Sequence, residues 1–222
     1  MNEASKTRAL FNEEELSLIR GKGIDIGSGK DPVCSSARCF DVEDGDANEI
    51  TRYIDEKFDY VFSAHCLEHM KDPVSALSTW WELLQPGGHL VLIVPDEDLY
   101  EQGYWPSLFN KDHKATFTIS KKKSWSPVSH NLIDMVSRLP GAEMVSIKVC
   151  ENNYKRVLIN HGFWPRFIAV PAALFTSALQ YFANKTRVPS PAGVFSRLLR
   201  FPVDQTMGKA LAQIQVIVRK NS

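Results

Sequence analysis

Short, uniformly apolar runs alternate with stretches of helical period along most of this chain. "GIDI" (23–26), "FDYVFSA" (58–64) and "HLVLIVP" (89–95) are apolar at nearly consecutive positions. That pattern predicts strands buried on both faces. "ARCFDV" (37–42), "EMVSIKV" (143–149) and "AQIQVIVRK" (212–220) read as further strands. Residues 7–20 predict a short amphipathic helix whose apolar contacts are Leu10, Phe11, Leu16, Leu18 and Ile19. A second helix has a clear start. Asp72 suits the N-cap and Pro73 the first helical position, and Val74, Leu77, Trp81 and Leu84 recur at helical spacing. Ser126–Pro127 repeats that start before Leu132, Met135, Val136 and Leu139. Strands alternating with helices predict an α/β fold: a mainly parallel sheet in a three-layer arrangement, covered on both sides.

Two segments fall outside the alternation. Residues 96–124 are aromatic and irregular, with Tyr100, Tyr104, Trp105, Phe109, His113 and Phe117. Residues 152–202 contain no Asp or Glu; their charges are Lys155, Arg156, Arg166, Lys185, Arg187, Arg197 and Arg200. Both are expected to be insertions on the sheet core, since long loops inside compact domains usually serve function. Within the second, a helix beginning at Pro171 is expected to place Leu174, Phe175, Ala178 and Phe182 on one side. Basic amphipathic pieces of this kind suit a membrane surface or an anionic, lipid-linked substrate. A helical cap or homodimer contact is the competing reading.

Length and composition narrow the class. The 222 residues suit one domain spanning 1–222, and 44% hydrophobic with 23% charged residues is ordinary globular composition. Formal net charge is zero, so the whole chain offers no argument for nucleic acid. Cys34, Cys39, Cys66 and Cys150 lack metal-type spacing. A reducing, cytoplasmic location is expected, for the stretch "MNEASKTRALFNEEE" has acids and no apolar core of a secretory signal.

The chemistry concentrates in "GIDIGSGKDPVCSSARCFDVEDGDANE" (23–49). Gly27 and Gly29, directly after a strand, let backbone approach a ligand. A dinucleotide fingerprint needs a third glycine before a helix, and here Lys30, Asp31 and Pro32 follow instead. Acids dominate: Asp25 in the strand, Asp41 and Glu43 at the end of the next. They suit ribose hydroxyls and a cationic ligand better than phosphate.

"IDIGSG", the second-strand acid, "GDA", "FDYVFSAHCLEHMKDP" and "LLQPGGHLVLIVPDE" together resemble a class I S-adenosylmethionine-dependent methyltransferase of type 11. The similarity spans roughly 21–97. It implies a Rossmann-like sheet of seven strands with an antiparallel last strand, and S-adenosyl-L-methionine as cofactor. It further implies that Gly27 and Gly29 lie at the methionyl part, Asp41 at the ribose, Asp46 and Ala47 at the adenine, and His65 beside the sulfonium. Asp25 is expected to contact the cofactor, with satisfaction by local backbone amides as the competing reading. The third glycine position is Asp31. Between Asp41 and Asp46 there is no room for a helix and strand, so the sheet is expected to be truncated between its second and third strands. The acceptor is expected to be a small molecule or glycan. If the reacting atom is a hydroxyl, His113 is the expected general base, with Asp96 and His65 as rivals. A non-catalytic cofactor-binding or regulatory protein is the alternative. Glu68 and His69 are expected to be helix-start residues without a metal, Lys121 to Lys123 a solvated run, and Trp80 and Trp81 packing residues.

Overall fold

A computed structural model describes residues 3–221. The N-terminal segment forms two short helices, α1 (Glu3–Arg8) and α2 (Glu13–Ser17), rather than one helix over 7–20. Asn12 divides them. Its side chain accepts the Glu15 N–H at 2.8 Å, and the Glu15 carboxylate accepts the Asn12 N–H at 3.0 Å, a reciprocal cap that begins a new helix.

Strands β1 (Gly23–Ile26), β2 (Arg38–Phe40), β3 (Phe58–Ala64) and β4 (Leu84–Pro95) are mutually parallel and stand in the order β2-β1-β3-β4. Helix α3 (Pro73–Glu82) joins β3 to β4, and the Asp72 carboxylate accepts the Val74 and Ser75 N–H groups as expected. A small parallel pair, β5 (Thr116–Thr118) and β6 (Ser129–Asn131), precedes α4 (Leu132–Ser137). That helix is capped by Asn131, not Ser126, because "SHN" is drawn into pairing with β5. β7 (Ala142–Cys150) follows, then α5 (Arg166–Thr186), α6 (Ala192–Leu199) and β8 (Gln213–Lys220). β8 inserts antiparallel between β4 and β7. The main sheet therefore has six strands among the described residues, not seven. Where the missing strand is expected, residues Ala47–Arg52 form a 3-10 segment too short to cross the sheet.

Alternation along the strands divides the core into two layers. Ile24, Ile26, Val61, Leu90, Leu92, Val94, Ile214 and Val216 face α3 and α4, where Leu77, Trp80, Trp81, Leu132 and Met135 are buried. Phe62, Val91, Ile93 and Ile217 face Ala4, Phe11, Ile19 and Val33 on the N-terminal side. Trp80 and Trp81 are both core residues, whereas Val74 is exposed.

The two insertions are one structure. Gly162 N–H donates to Gln102 O at 2.8 Å, Tyr104 O–H donates to Asn160 Oδ1 at 2.5 Å, and Arg166 Nη1 donates to Pro106 O at 2.5 Å. Lys121 leaves the expected solvated run to pair with Glu97 and Asp98. The buried Glu97 carboxylate also accepts Ser124 and Ser129 hydroxyls, which pins the first insertion. α5 starts at Arg166, one and a half turns before Pro171, which lies inside the helix.

Candidate active site

The parallel strands end together on one edge, and β1 has β2 on one side and β3 on the other. That is the topological switch point where such sheets bind ligands. At the end of β1, Gly27 has φ +78°, and a Cβ built there would lie 2.6 Å from Cys66 Cβ. Only glycine lets this turn pack against the residue that follows His65. Burial pushes the Cys66 thiol up to about 12, so it offers no thiolate. At the end of β2, Asp41 Oδ2 accepts the Gly29 N–H at 2.6 Å and Oδ1 accepts the Val42 N–H at 2.7 Å. The carboxylate is thereby fixed in orientation.

A cavity of about 710 Å³ opens between these strand ends, and Gly27, Asp41, Asp46, Ala47, His65 and Cys66 line it. Asp46 caps the 3-10 segment through Asn48, whose side-chain and backbone N–H groups hold its carboxyl below the usual range. Ala47 O accepts the Trp80 indole N–H at 2.8 Å, which ties this wall to α3. Glu43 does not line the cavity.

Two expected contacts lie elsewhere. Asp25 is 1% exposed and its Oδ2 accepts the Val33 N–H at 2.6 Å, so it anchors the loop beneath the cavity instead of lining it. Burial pushes its carboxyl up to about 7. Gly29 serves by its N–H on Asp41 and is not a wall residue.

A second cavity of about 260 Å³ is lined by His65, Glu68, His69, Tyr100, His113 and Gln213, among others. His65 and His69 line both cavities, so the two adjoin. His65 follows β3 with φ 56°. Its Nε2 lies 3.0 Å from Gln213 Oε1, and the same amide's nitrogen donates to Thr7 Oγ1, so His65 Nε2 carries the hydrogen. His113 Nδ1 lies 2.7 Å from Glu101 Oε1, deep in the first insertion. Glu68 is 1% exposed, and neither of its oxygens has a hydrogen-bond partner. His65 Nδ1 stands 3.4 Å and His113 Nε2 4.0 Å from Glu68 Oε1. Burial drives the Glu68 carboxyl up, and the histidines, His65 foremost, outweigh it and leave the carboxyl below its usual value.

Asp96, a rival for the base, lines neither cavity. Its Oδ1 accepts the Asp98 and Leu99 N–H groups at 3.0 Å and caps the π-helical turn Glu97–Glu101. It is a structural cap whose carboxyl burial pushes up to about 6. The sequence carried no signal for Glu101 or Gln213, because neither belongs to a local motif. Chain folding alone brings them to His113 and His65.

The donor set of the larger cavity fits a sulfonium nucleoside: a fixed carboxylate for the ribose diol, a bare glycine turn, and no glycine-rich helix start for phosphate. Residues 17–92 match the family described as a methyltransferase domain. A comparison with curated proteins gives no match. Among solved structures, a putative methyltransferase from Bacillus halodurans is 14% identical, covering 94% of this chain and 97% of that one, with TM-score 0.49. A Thermotoga maritima S-adenosylmethionine-dependent methyltransferase, a possible histamine N-methyltransferase, is 19% identical over 68% of this chain and 73% of that one, at 0.43. The plantazolicin methyltransferase BamL, solved with S-adenosylhomocysteine, is 14% identical over 99% and 82%, at 0.45. The match to the methyltransferase-domain family runs through Gly27, Asp41, Asp46, Ala47 and His65, which are among the residues lining the larger cavity, so residues 17–92 carry a methyltransferase domain whose cofactor is S-adenosyl-L-methionine.

Proposed function

We propose that the enzyme methylates a hydroxyl of a small-molecule or glycan acceptor held in the 260 Å³ cavity, with His113 receiving the acceptor's proton. The observation that carries this reading is the shared wall of His65 and His69, which sets an acceptor next to the cofactor cavity. The bound cofactor supplies an already activated methyl group, so the protein's work is alignment, exclusion of water and proton removal. Glu101 holds His113 by Nδ1 and thereby directs Nε2 toward the cavity side, where Glu68 lies. A non-catalytic reading leaves Glu68 and Glu101 as buried carboxylates with unbonded oxygens and no use, a costly arrangement for a regulator. The test is methyl transfer from labelled cofactor to hydroxyl-bearing glycans and small molecules. Binding of S-adenosylhomocysteine without transfer to any acceptor class would favour the regulator.

The acceptor's class is further suggested by α5 and α6. α5 turns its small and polar residues inward: Ala169, Ala172, Ala173, Thr176 and Ala183 are buried. Thr176 Oγ1 donates to Pro202 O at 2.6 Å, and Gln180 Nε2 to Asp204 O at 2.8 Å. The large apolar side chains face out, with Phe167 at 79% exposure, Leu174 at 64%, Phe182 at 62% and, on α6, Leu198 at 74%. By length and composition α5 is also apolar enough to cross a membrane. Its bonded inner face favours lying flat on one. Exposed apolar side chains among Arg166, Lys185, Arg187 and Arg197, with no acid in 152–202, complement an anionic lipid surface. A lipid-linked glycan would reach the cavity from there, for this segment is bonded to the insertion that carries Tyr100 and His113.

A further inference from the structure

We propose that Glu68, His69 and His113 hold one divalent transition-metal ion where the two cavities meet. One ligand atom from each lies within 4.8 Å of the others. His113 Nε2 and Glu68 Oε1 are 4.0 Å apart, and two donors each about 2.1 Å from an ion in tetrahedral geometry stand roughly 3.4 Å apart. The widest separation, at most 4.8 Å, therefore needs to close by about 1.4 Å, a movement that side-chain rotation supplies.

Three features point the same way. Both histidines are held through Nδ1 by carboxylates, His113 by Glu101 at 2.7 Å and His69 by Asp112 at 2.9 Å. This leaves the Nε2 lone pairs as the donors, the outer-shell arrangement that orients metal-binding imidazoles. Glu68 is a buried carboxylate with no hydrogen bond to either oxygen, flanked by imidazoles, with His65 Nδ1 at 3.4 Å from Oε1, so its acceptor capacity is open to an ion. The two segments are also stapled in register, since Lys114 and Ala115 N–H groups both donate to Glu68 O, at 2.7 and 3.2 Å. On sequence grounds Glu68 and His69 alone form no site; folding adds His113 as the third donor.

Two imidazoles with one carboxylate suit Mn²⁺, Fe²⁺ or Zn²⁺ better than Mg²⁺ or Ca²⁺. The smaller cavity borders all three donors, so an acceptor hydroxyl there would meet the ion directly and lose its proton more readily. His113 then acts as a ligand rather than as the base. That role rests on the hydroxyl-transfer reading, whereas ion binding itself does not.

The test uses the full chain stripped with chelator, titrated with Mn²⁺ followed by electron paramagnetic resonance and with Zn²⁺ followed by calorimetry. One ion per chain is expected. Glu68→Gln and His113→Gln should each weaken binding at least 10-fold, and Glu101→Gln about 10–100-fold through loss of orientation. Glu68→Asp, which keeps the charge, should recover part of the affinity. S-adenosylhomocysteine titration of the same samples reports folding and separates the readings. Cofactor-product binding without ion binding at millimolar metal overturns the ion and leaves the transferase. Ion binding without S-adenosylhomocysteine binding does the reverse. Equal ion affinity in parent and all variants places the ion elsewhere and also overturns the proposal.

Discussion

His113 and Glu101 form a buried pair, 3% and 1% exposed at the side chain, with Nδ1 2.7 Å from Oε1. Glu101→Gln keeps the shape and removes the charge that orients the imidazole. Turnover should fall by about 10–100-fold, while affinity for S-adenosylhomocysteine changes little, as Glu101 lies outside the larger cavity. Steady-state kinetics beside a binding isotherm checks this. Unchanged kcat would make the pair a packing feature.

Asp41 and Glu43 are two residues apart, yet only Asp41 lines the cofactor cavity. Asp41→Ala should weaken S-adenosylhomocysteine binding by about 1–3 kcal/mol through lost charge-assisted hydrogen bonds. Glu43→Ala should leave it unchanged. Calorimetry that reverses this order would move the ribose contact to Glu43.

Gly27 touches Cys66 as well as the cavity, so its replacement tests packing before binding. Gly27→Ala should cost about 1–3 kcal/mol from the positive φ and the 2.6 Å approach to Cys66 Cβ. Combined with Cys66→Gly, the loss in urea unfolding should be smaller than the sum of the two single changes. Strict additivity would mean that the turn relaxes away from Cys66.

Asp25 gives stability a pH dependence of definite sign. Burial raises its carboxyl from 3.8 to about 7, so between those values the folded chain holds a proton that the unfolded chain has lost. Its contribution therefore falls as pH rises through that window and levels off above about 7. Asp25→Asn removes this dependence. Its stability relative to the parent should be roughly 2 kcal/mol more favourable at pH 8 than at pH 5. Parallel unfolding profiles would show that Asp25 keeps an ordinary carboxyl.

Phe167 and Leu198 stand out from α5 and α6 at 79% and 74% exposure, and Arg197 is also exposed. Flotation should show more binding to anionic than to neutral vesicles, falling as salt rises. Phe167→Ser with Leu198→Ser should reduce it, and Arg197→Glu should reduce its charge dependence, with S-adenosylhomocysteine affinity intact. If sedimentation changes instead, and lipid charge has no effect, the surface is a contact between two copies of the chain.

Local patterning carried β1, β3, the Asp72–Pro73 start of α3 and the glycine turn, because these follow from period and turn chemistry within a few neighbours. The sheet's shortening between β2 and β3 was also legible, since the chain between Asp41 and Asp46 is too short for another crossover. Partners distant in sequence were not legible. Asp25 and Asp96 read as site acids, but backbone N–H groups of Val33 and Leu99 claim them for loops. Residues 96–124 and 152–202 read as separate insertions, though Gln102–Gly162 and Tyr104–Asn160 join them. Glu68 follows β3 whereas Glu101 and His113 lie in the first insertion, and no motif joins the three. Their juxtaposition depends on the Lys114–Glu68 backbone bond and on burial, which only the folded chain supplies.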